Sequence, residues 1–296
     1  MSTKPIVVIG ATGQVAQALR CAASGRGIHL VCAGRPETDI NDLASLSAVF
    51  DKFRPALVVN AAAYTAVDKA EEDVEAARNA NHDGPARLAV LCDTTGAALV
   101  HLSTDYVFDG KASSPYREEQ PAAPLNVYGL TKAAGEEAVR SVLARHVILR
   151  TAWVYGPTGQ NFLKTMLRLG SERDVVRVIA DQKGTPTSAS DIASAILDIA
   201  PRLIAAGACE NIWGTYHLTA QGETTWHGFA AEIFRLAGES GRKVPRLEAI
   251  TAQEYPLPAV RPSYSVLDTR KIRAAFGVAL PDWQKSVSAC FKRLPH

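Results

Sequence analysis

The stretch Ile6-Val7-Val8-Ile9-Gly10-Ala11-Thr12-Gly13-Gln14-Val15-Ala16 decides the fold. Its four apolar, β-branched residues read as a buried strand, and the glycines that follow mark a tight strand-to-helix turn of the form G-x-x-G-x-x-A. Glycines there let backbone N–H groups approach a pyrophosphate, and the N-terminus of the next helix stabilises its charge. Gly10 and Gly13 are therefore candidate cofactor contacts. A purely structural turn is the alternative, which the position directly after the first strand disfavours.

Outward from this turn, short apolar runs alternate with segments of helical period. Strands are expected at 29–32, 56–60, 98–103 and 147–151. Leu43, Leu46, Val49, Phe50 and Phe53 give one helix an apolar stripe. A second should cover 86–92, closed by Thr95-Gly96, and a third should run over 127–146 with Val127, Leu130, Ala134 and Ala138 on one face. With no tight hairpin between strands, right-handed crossovers follow, and the fold class is α/β: a doubly wound parallel sheet, the Rossmann arrangement.

After residue 151 the pattern loosens, with breaks at Gly156-Pro157 and Gly184-Thr185-Pro186. Helices are expected over 162–169, 192–204 and 229–236, and strands at 175–179 and 216–218. The four prolines of 245–262 predict an irregular or extended segment that suits a cleft wall. The expected division is a dinucleotide-binding domain of 1–150 with 189–228, and a smaller region of 151–188 with 229–296 that binds substrate.

A formal charge of +2, with no basic block, predicts neither a nucleic-acid nor a membrane partner. Five scattered cysteines without a C-x-x-C pair indicate neither a disulfide framework nor a zinc site, which fits a reducing cytoplasm. Seven histidines offer no ligand spacing, and no G-x-S-x-G elbow supports hydrolase chemistry.

The sharpest chemical signal is Tyr128-Gly129-Leu130-Thr131-Lys132, with Ser103-Thr104 at the end of an earlier strand. Four residues apart on a helix, Tyr128 and Lys132 share a face, so the ammonium can lower the phenol pKa while the phenol protonates a carbonyl oxygen as hydride arrives. Thr104 could donate a hydrogen bond to the same oxygen. The small residues Ala61-Ala62-Ala63 after the third strand make room for a ring or ribose, or simply for close packing. Arg35 stands near where such folds often carry an acidic ribose ligand and favours NADPH over NADH; a solvated loop arginine is the competing reading.

On these residues the chain resembles the extended short-chain dehydrogenase/reductase superfamily. The segments 60–71, 103–108, 124–129, 150–155 and 181–187, with Asn161-Phe162, Pro258 to Pro262 and 280–283, resemble the dTDP-4-dehydrorhamnose reductases more narrowly, nearly end to end. That resemblance implies reduction of the C4 keto group of dTDP-4-dehydro-L-rhamnose by NADPH or NADH. It makes Tyr128 the proton donor, Lys132 the ligand of the nicotinamide ribose and Thr104 a substrate contact. It implies cofactor contacts at Gly13, Gln14, Val15, Asp39, Ile40, Ala63, Tyr64 and Thr65, beside Gly10, Arg35 and Ala62. Asp105 and Trp153 would touch the sugar or nucleotide, with Gln182, Asn161 and Arg261 as further nucleotide candidates. Some members bind magnesium through carboxylates at a dimer interface; here that region offers Ala18 and Ser190 beside Asp191, so a metal is not favoured, and a homodimer is left open.

Four relatives of the fold compete. A dehydratase needs an acid/base pair after the threonine, where Asp105-Tyr106 supplies one carboxylate. Another nucleotide-sugar 4-ketoreductase would use the same Tyr and Lys, and so would a 4-epimerase, which holds NAD tightly and makes no net redox change. A non-catalytic regulatory subunit of methionine adenosyltransferase has no need of Thr104, Tyr128 and Lys132 together.

Overall fold

The computed structural model describes residues 4–294. Its main elements are β1 (Ile6–Ile9), α1 (Gln14–Gly25), β2 (Leu30–Ala33), α2 (Leu43–Phe53), β3 (Leu57–Asn60), α3 (Gly84–Thr95), β4 (Ala98–Thr104), α4 (Val127–Val142), β5 (His146–Thr151), α5 (Phe162–Glu172), α6 (Ala189–Ala205), β6 (Gly214–His217), α7 (Trp226–Glu239) and α8 (Trp283–Phe291). Six strands form one sheet in the order β6-β5-β4-β3-β1-β2, every neighbouring pair parallel. This is the doubly wound sheet that the strand–helix alternation predicts. The order reverses between β1 and β3, so their carboxyl ends open a crevice.

The apolar runs are continuous because helices cover both faces of the sheet. Ile6, Val8, Leu57, Val59, Val100 and Leu149 meet Leu19 of α1 and Ile192 and Ile196 of α6 on one face. Val7, Ile9, Val58, Leu99 and Ile148 meet Leu46 and Phe50 of α2, Leu88 of α3 and Val139 of α4 on the other. A third cluster gathers Tyr155, Leu163 and Met166 with Phe229, Ile233, Trp283 and Val287 from the second half of the chain. Local chemistry sets the element ends: Asp42 caps α2 by accepting from Ala44 N and Ser45 N, and Gly96, at φ 72°, ends α3.

Two expectations are corrected. Helix α4 stops at Val142, and His146 belongs to β5. Its inward face is not the Val127, Leu130, Ala134, Ala138 stripe: Leu130 is 54% exposed, whereas Gly129, Thr131, Lys132, Gly135, Glu136 and Val139 are buried. Paired polar groups and close backbone contact, not an apolar stripe, hold this helix down. The proline-bearing segment is extended as expected over Arg246–Ile250, but there it pairs in parallel with Val175–Ile179 in a separate two-stranded sheet. Among the described residues no helix is long and apolar enough to cross a membrane.

Candidate active site

Gly10 adopts φ 105°, and a Cβ there would lie 2.8 Å from the Ala62 nitrogen. The turn after β1 and the chain leaving β3 therefore meet backbone to backbone, which only glycine permits. Gly13 is the N-cap of α1 and brings no side chain to its amides. Gly34 abuts the same turn, since a Cβ on it would sit 2.8 Å from the Ala11 nitrogen. The result is a helix N-terminus open to an anion, walled by alanines.

The opposite wall is polar and buried. Thr104 ends β4 opposite Thr151 of β5. Its hydroxyl accepts from Tyr106 N at 3.2 Å and donates to Asp105 Oδ1 at 3.0 Å. Asn126 caps α4 by accepting from Gly129 N at 2.8 Å, and its amide donates to Val260 O at 2.7 Å, which sets where Tyr128 enters. The Tyr128 ring meets Tyr106 edge-on, centroids 5.6 Å apart. Lys132, one turn on, is 2% exposed and donates from Nζ to Leu102 O at 2.6 Å.

Electrostatics follow from this burial. Desolvation pushes the Tyr128 phenol up to about 12, against a hydrogen bond from Thr104. The same cause pushes Lys132 down to about 8, opposed by the charge of Glu136. Burial thus dominates at Tyr128, and the phenol keeps its proton at neutral pH while the Lys132 ammonium donates to the Leu102 carbonyl. Burial lifts Asp105 to about 6, and its Oδ2 has no partner.

One cavity of about 560 Å³ joins the two walls. It brings together Gly13, Gln14, Val15, Ala63, Thr65, Thr104, Asp105, Tyr128, Lys132 and Trp153 of the expected residues. Trp153 follows β5 at φ 47°, unusual for a residue with a side chain, and its indole stacks on Trp226 at 3.6 Å with planes 6° apart.

The remaining expected residues lie outside this cavity. Gly10 and Ala62 meet backbone to backbone behind the Gly13 turn. The Tyr64 hydroxyl donates to Asp73 at 2.9 Å, while its backbone is held by Asn81. Ile40 packs against Gly84, Asp39 accepts from Asn41 N, and Arg35 is exposed beyond Gly34. Arg261 is paired with Asp68 through two short bonds, 2.9 and 2.7 Å. Asn161 caps α5 and bridges to Gln14 at 2.8 Å, and Gln182 is buried with an unpartnered Oε1. Asp191 accepts from Ser286, and Ser190 from Arg293. Reading the sequence missed Tyr106, Trp226 and Gln160 in the cavity wall. Only Tyr106 carried a signal, by following Thr104-Asp105.

A doubly wound sheet with a glycine turn at its switch point, facing a tyrosine and lysine one helical turn apart, defines a short-chain dehydrogenase/reductase. Within that class the chain belongs to the dTDP-4-dehydrorhamnose reductase family. The model of the RmlD substrate binding domain matches residues 3–295. The dTDP-4-dehydrorhamnose reductase of Sinorhizobium fredii is 42% identical over 282 residues, 95% of this chain and 94% of that protein. The solved structure of such a reductase from Clostridium acetobutylicum gives a TM-score of 0.90 at 36% identity, covering 97% of this chain and 98% of the other. One from Bacillus anthracis, in complex with NADP, gives 0.89 at 33% identity over 98% and 99%.

Proposed function

We propose that this chain reduces the C4 keto group of dTDP-4-dehydro-L-rhamnose to give dTDP-L-rhamnose, at the expense of NADPH or NADH. The observation that carries the reading is the shared cavity, in which the Tyr128 phenol and Lys132 ammonium share one helical face with Thr104 beside them. The open N-terminus of α1 and the bare backbone around Gly10 suit a dinucleotide, with Gly13, Gln14 and Val15 at the diphosphate and Ala63, Thr65 and Lys132 toward the ribose. When bound, the reduced nicotinamide supplies hydride to C4.

The protein's own groups supply the rest. Tyr128, holding its proton at neutral pH, gives it to the C4 oxygen as charge develops there. Thr104, turning its hydroxyl proton from Asp105 Oδ1 when substrate is bound, adds a hydrogen bond to the same oxygen, and Lys132 places a positive charge nearby to stabilise the tyrosinate left behind. The free Oδ2 of Asp105 accepts from a sugar hydroxyl, and the stacked indole of Trp153 forms a flat wall for the sugar or nucleotide. Residues 1–150 with 189–228 form the cofactor-binding domain, and 151–188 with 229–296 the substrate-binding region. Arg35, brought beside the phosphate turn by the Gly34–Ala11 contact, meets the 2′-phosphate and favours NADPH.

The test is loss of reduced-nicotinamide absorbance with enzymatically made dTDP-4-dehydro-L-rhamnose, wild type against Tyr128→Phe. Turnover that falls about 100-fold or more in the variant, with cofactor still bound, is expected. No turnover by the wild type with either cofactor would sink the reductase; an unimpaired variant would keep the enzyme and remove Tyr128 as proton donor.

A further inference from the structure

Glu136 lies one turn beyond Lys132 on the inward face of α4, its side chain wholly buried. Its Oε1 accepts from the Ser103 hydroxyl at 2.5 Å and from Arg150 Nε at 2.9 Å. Its Oε2 accepts from Arg150 Nη2 at 2.7 Å and from Arg140 Nη1 at 3.2 Å. Ser103 immediately precedes Thr104 at the end of β4, and Arg150 immediately precedes Thr151 at the end of β5. One carboxylate thus ties the helix that carries Tyr128 and Lys132 to both strands whose ends line the cavity. A buried ion pair of this kind is seldom more stable than the apolar packing that could replace it, so its placement asks for another reason.

We infer that Glu136 is a positioning residue for the reduction: clamped by Arg150 and Ser103, it fixes α4 against the ends of β4 and β5 and holds a negative charge one turn from the Lys132 ammonium. This rests on the reading of Tyr128 and Lys132 given above. The groups around Lys132 are few. Glu136, Arg140 and Tyr128 share its helix, His101 on β4 is kept neutral by burial, Asp105 and Tyr106 line the same cavity from the turn after β4, and Arg150 on β5 shares the Glu136 carboxylate with Arg140. Burial favours loss of the lysine proton and the Glu136 charge opposes it. Without that charge the proton leaves at lower pH, and activity that needs the ammonium fades sooner as pH rises.

The experiment compares kcat/KM against pH for the wild type, Glu136→Gln, Glu136→Asp and the double variant Glu136→Gln/Arg150→Gln, with circular dichroism confirming the fold. The double variant covers the case in which an unpaired guanidinium prevents Glu136→Gln from folding. In Glu136→Gln the alkaline limb should move down by about one pH unit, so activity falls about fivefold at pH 8 and less than about twofold at pH 6, and in the double variant, which also loses the Arg150 charge, it should move the same way by less. Glu136→Asp, which keeps the charge, should return the limb most of the way. A limb that stays in place, or a loss equal at all pH values, would make Glu136 merely structural and overturn the inference. Lys132→Met at wild-type rate would instead remove the site reading beneath it, which separates the two failures.

Discussion

On one side of the cavity Gly13 and Ala63 present bare backbone, while on the other lie Tyr128 and the buried Asp105 and Lys132, with the Glu136–Arg150 pair one helical turn beyond Lys132. The first wall works through atoms it lacks: Gly10 leaves no room for a Cβ, and the residues after β3 are small. The second works through charges placed where water cannot screen them. The two should fail differently. The glycine wall is sensitive to volume and indifferent to pH, and the polar wall tolerates isosteric change in shape but not in protonation.

Gly10→Val should have the largest effect, because a branched side chain must enter backbone space at φ 105°. A loss of about 3 kcal/mol, lowering Tm by roughly 6 °C, is expected together with loss of NADPH binding. Thermal unfolding and a fluorescence titration measure both, and a variant matching the wild type in each would dissolve the steric half of the contrast.

Asp105→Asn should separate stability from activity. The folded carboxyl is raised to about 6 from 3.8, so its favourable contribution exists below pH 3.8 and is lost as pH rises through about 6. At pH 7 the buried charge is a liability, and the amide should stabilise the protein by roughly 2–3 kcal/mol, a gain that disappears toward pH 4. Activity should move the other way. Sugar kcat/KM should fall about tenfold, and the wild type's acid limb near pH 6 should vanish. An unchanged Tm at pH 7 would remove the electrostatic half of the contrast.

The smallest effect belongs to Arg35→Ala, at the exposed rim. The KM for NADPH should rise about fivefold while that for NADH stays put. Equal changes for both cofactors would show that the arginine does not read the 2′-phosphate.

What could be read from the sequence follows the same division. The glycine wall is local, so one strand, two glycines and a run of alanines announce it within consecutive residues. The Tyr128/Lys132 pair is local too, being one turn of one helix. Apolar periodicity misled at α4 because the helix buries Lys132 and Glu136 beside glycines, while Leu130 faces outward. Glu136 could not be singled out, since its partners Ser103 and Arg150 are 33 and 14 residues away. Trp226 likewise gains its place only when the fold lays it on Trp153. Tyr64 belongs to a segment quoted for the family resemblance, yet its hydroxyl is turned to Asp73.

The two glycines of α4 have one further consequence. A Cβ on Gly129 would come 2.2 Å from the Tyr106 carbonyl oxygen, and one on Gly135 would come 2.0 Å from that of Asn81. These stops are six residues apart, about 9 Å along the axis, and they press on the helix from two neighbouring segments. Together they act as a pair of dowels: they set the helix's azimuth as well as its depth. The aim of the phenol is thereby machined into the backbone, and a methyl group at either stop would swing it off target without touching a reacting atom.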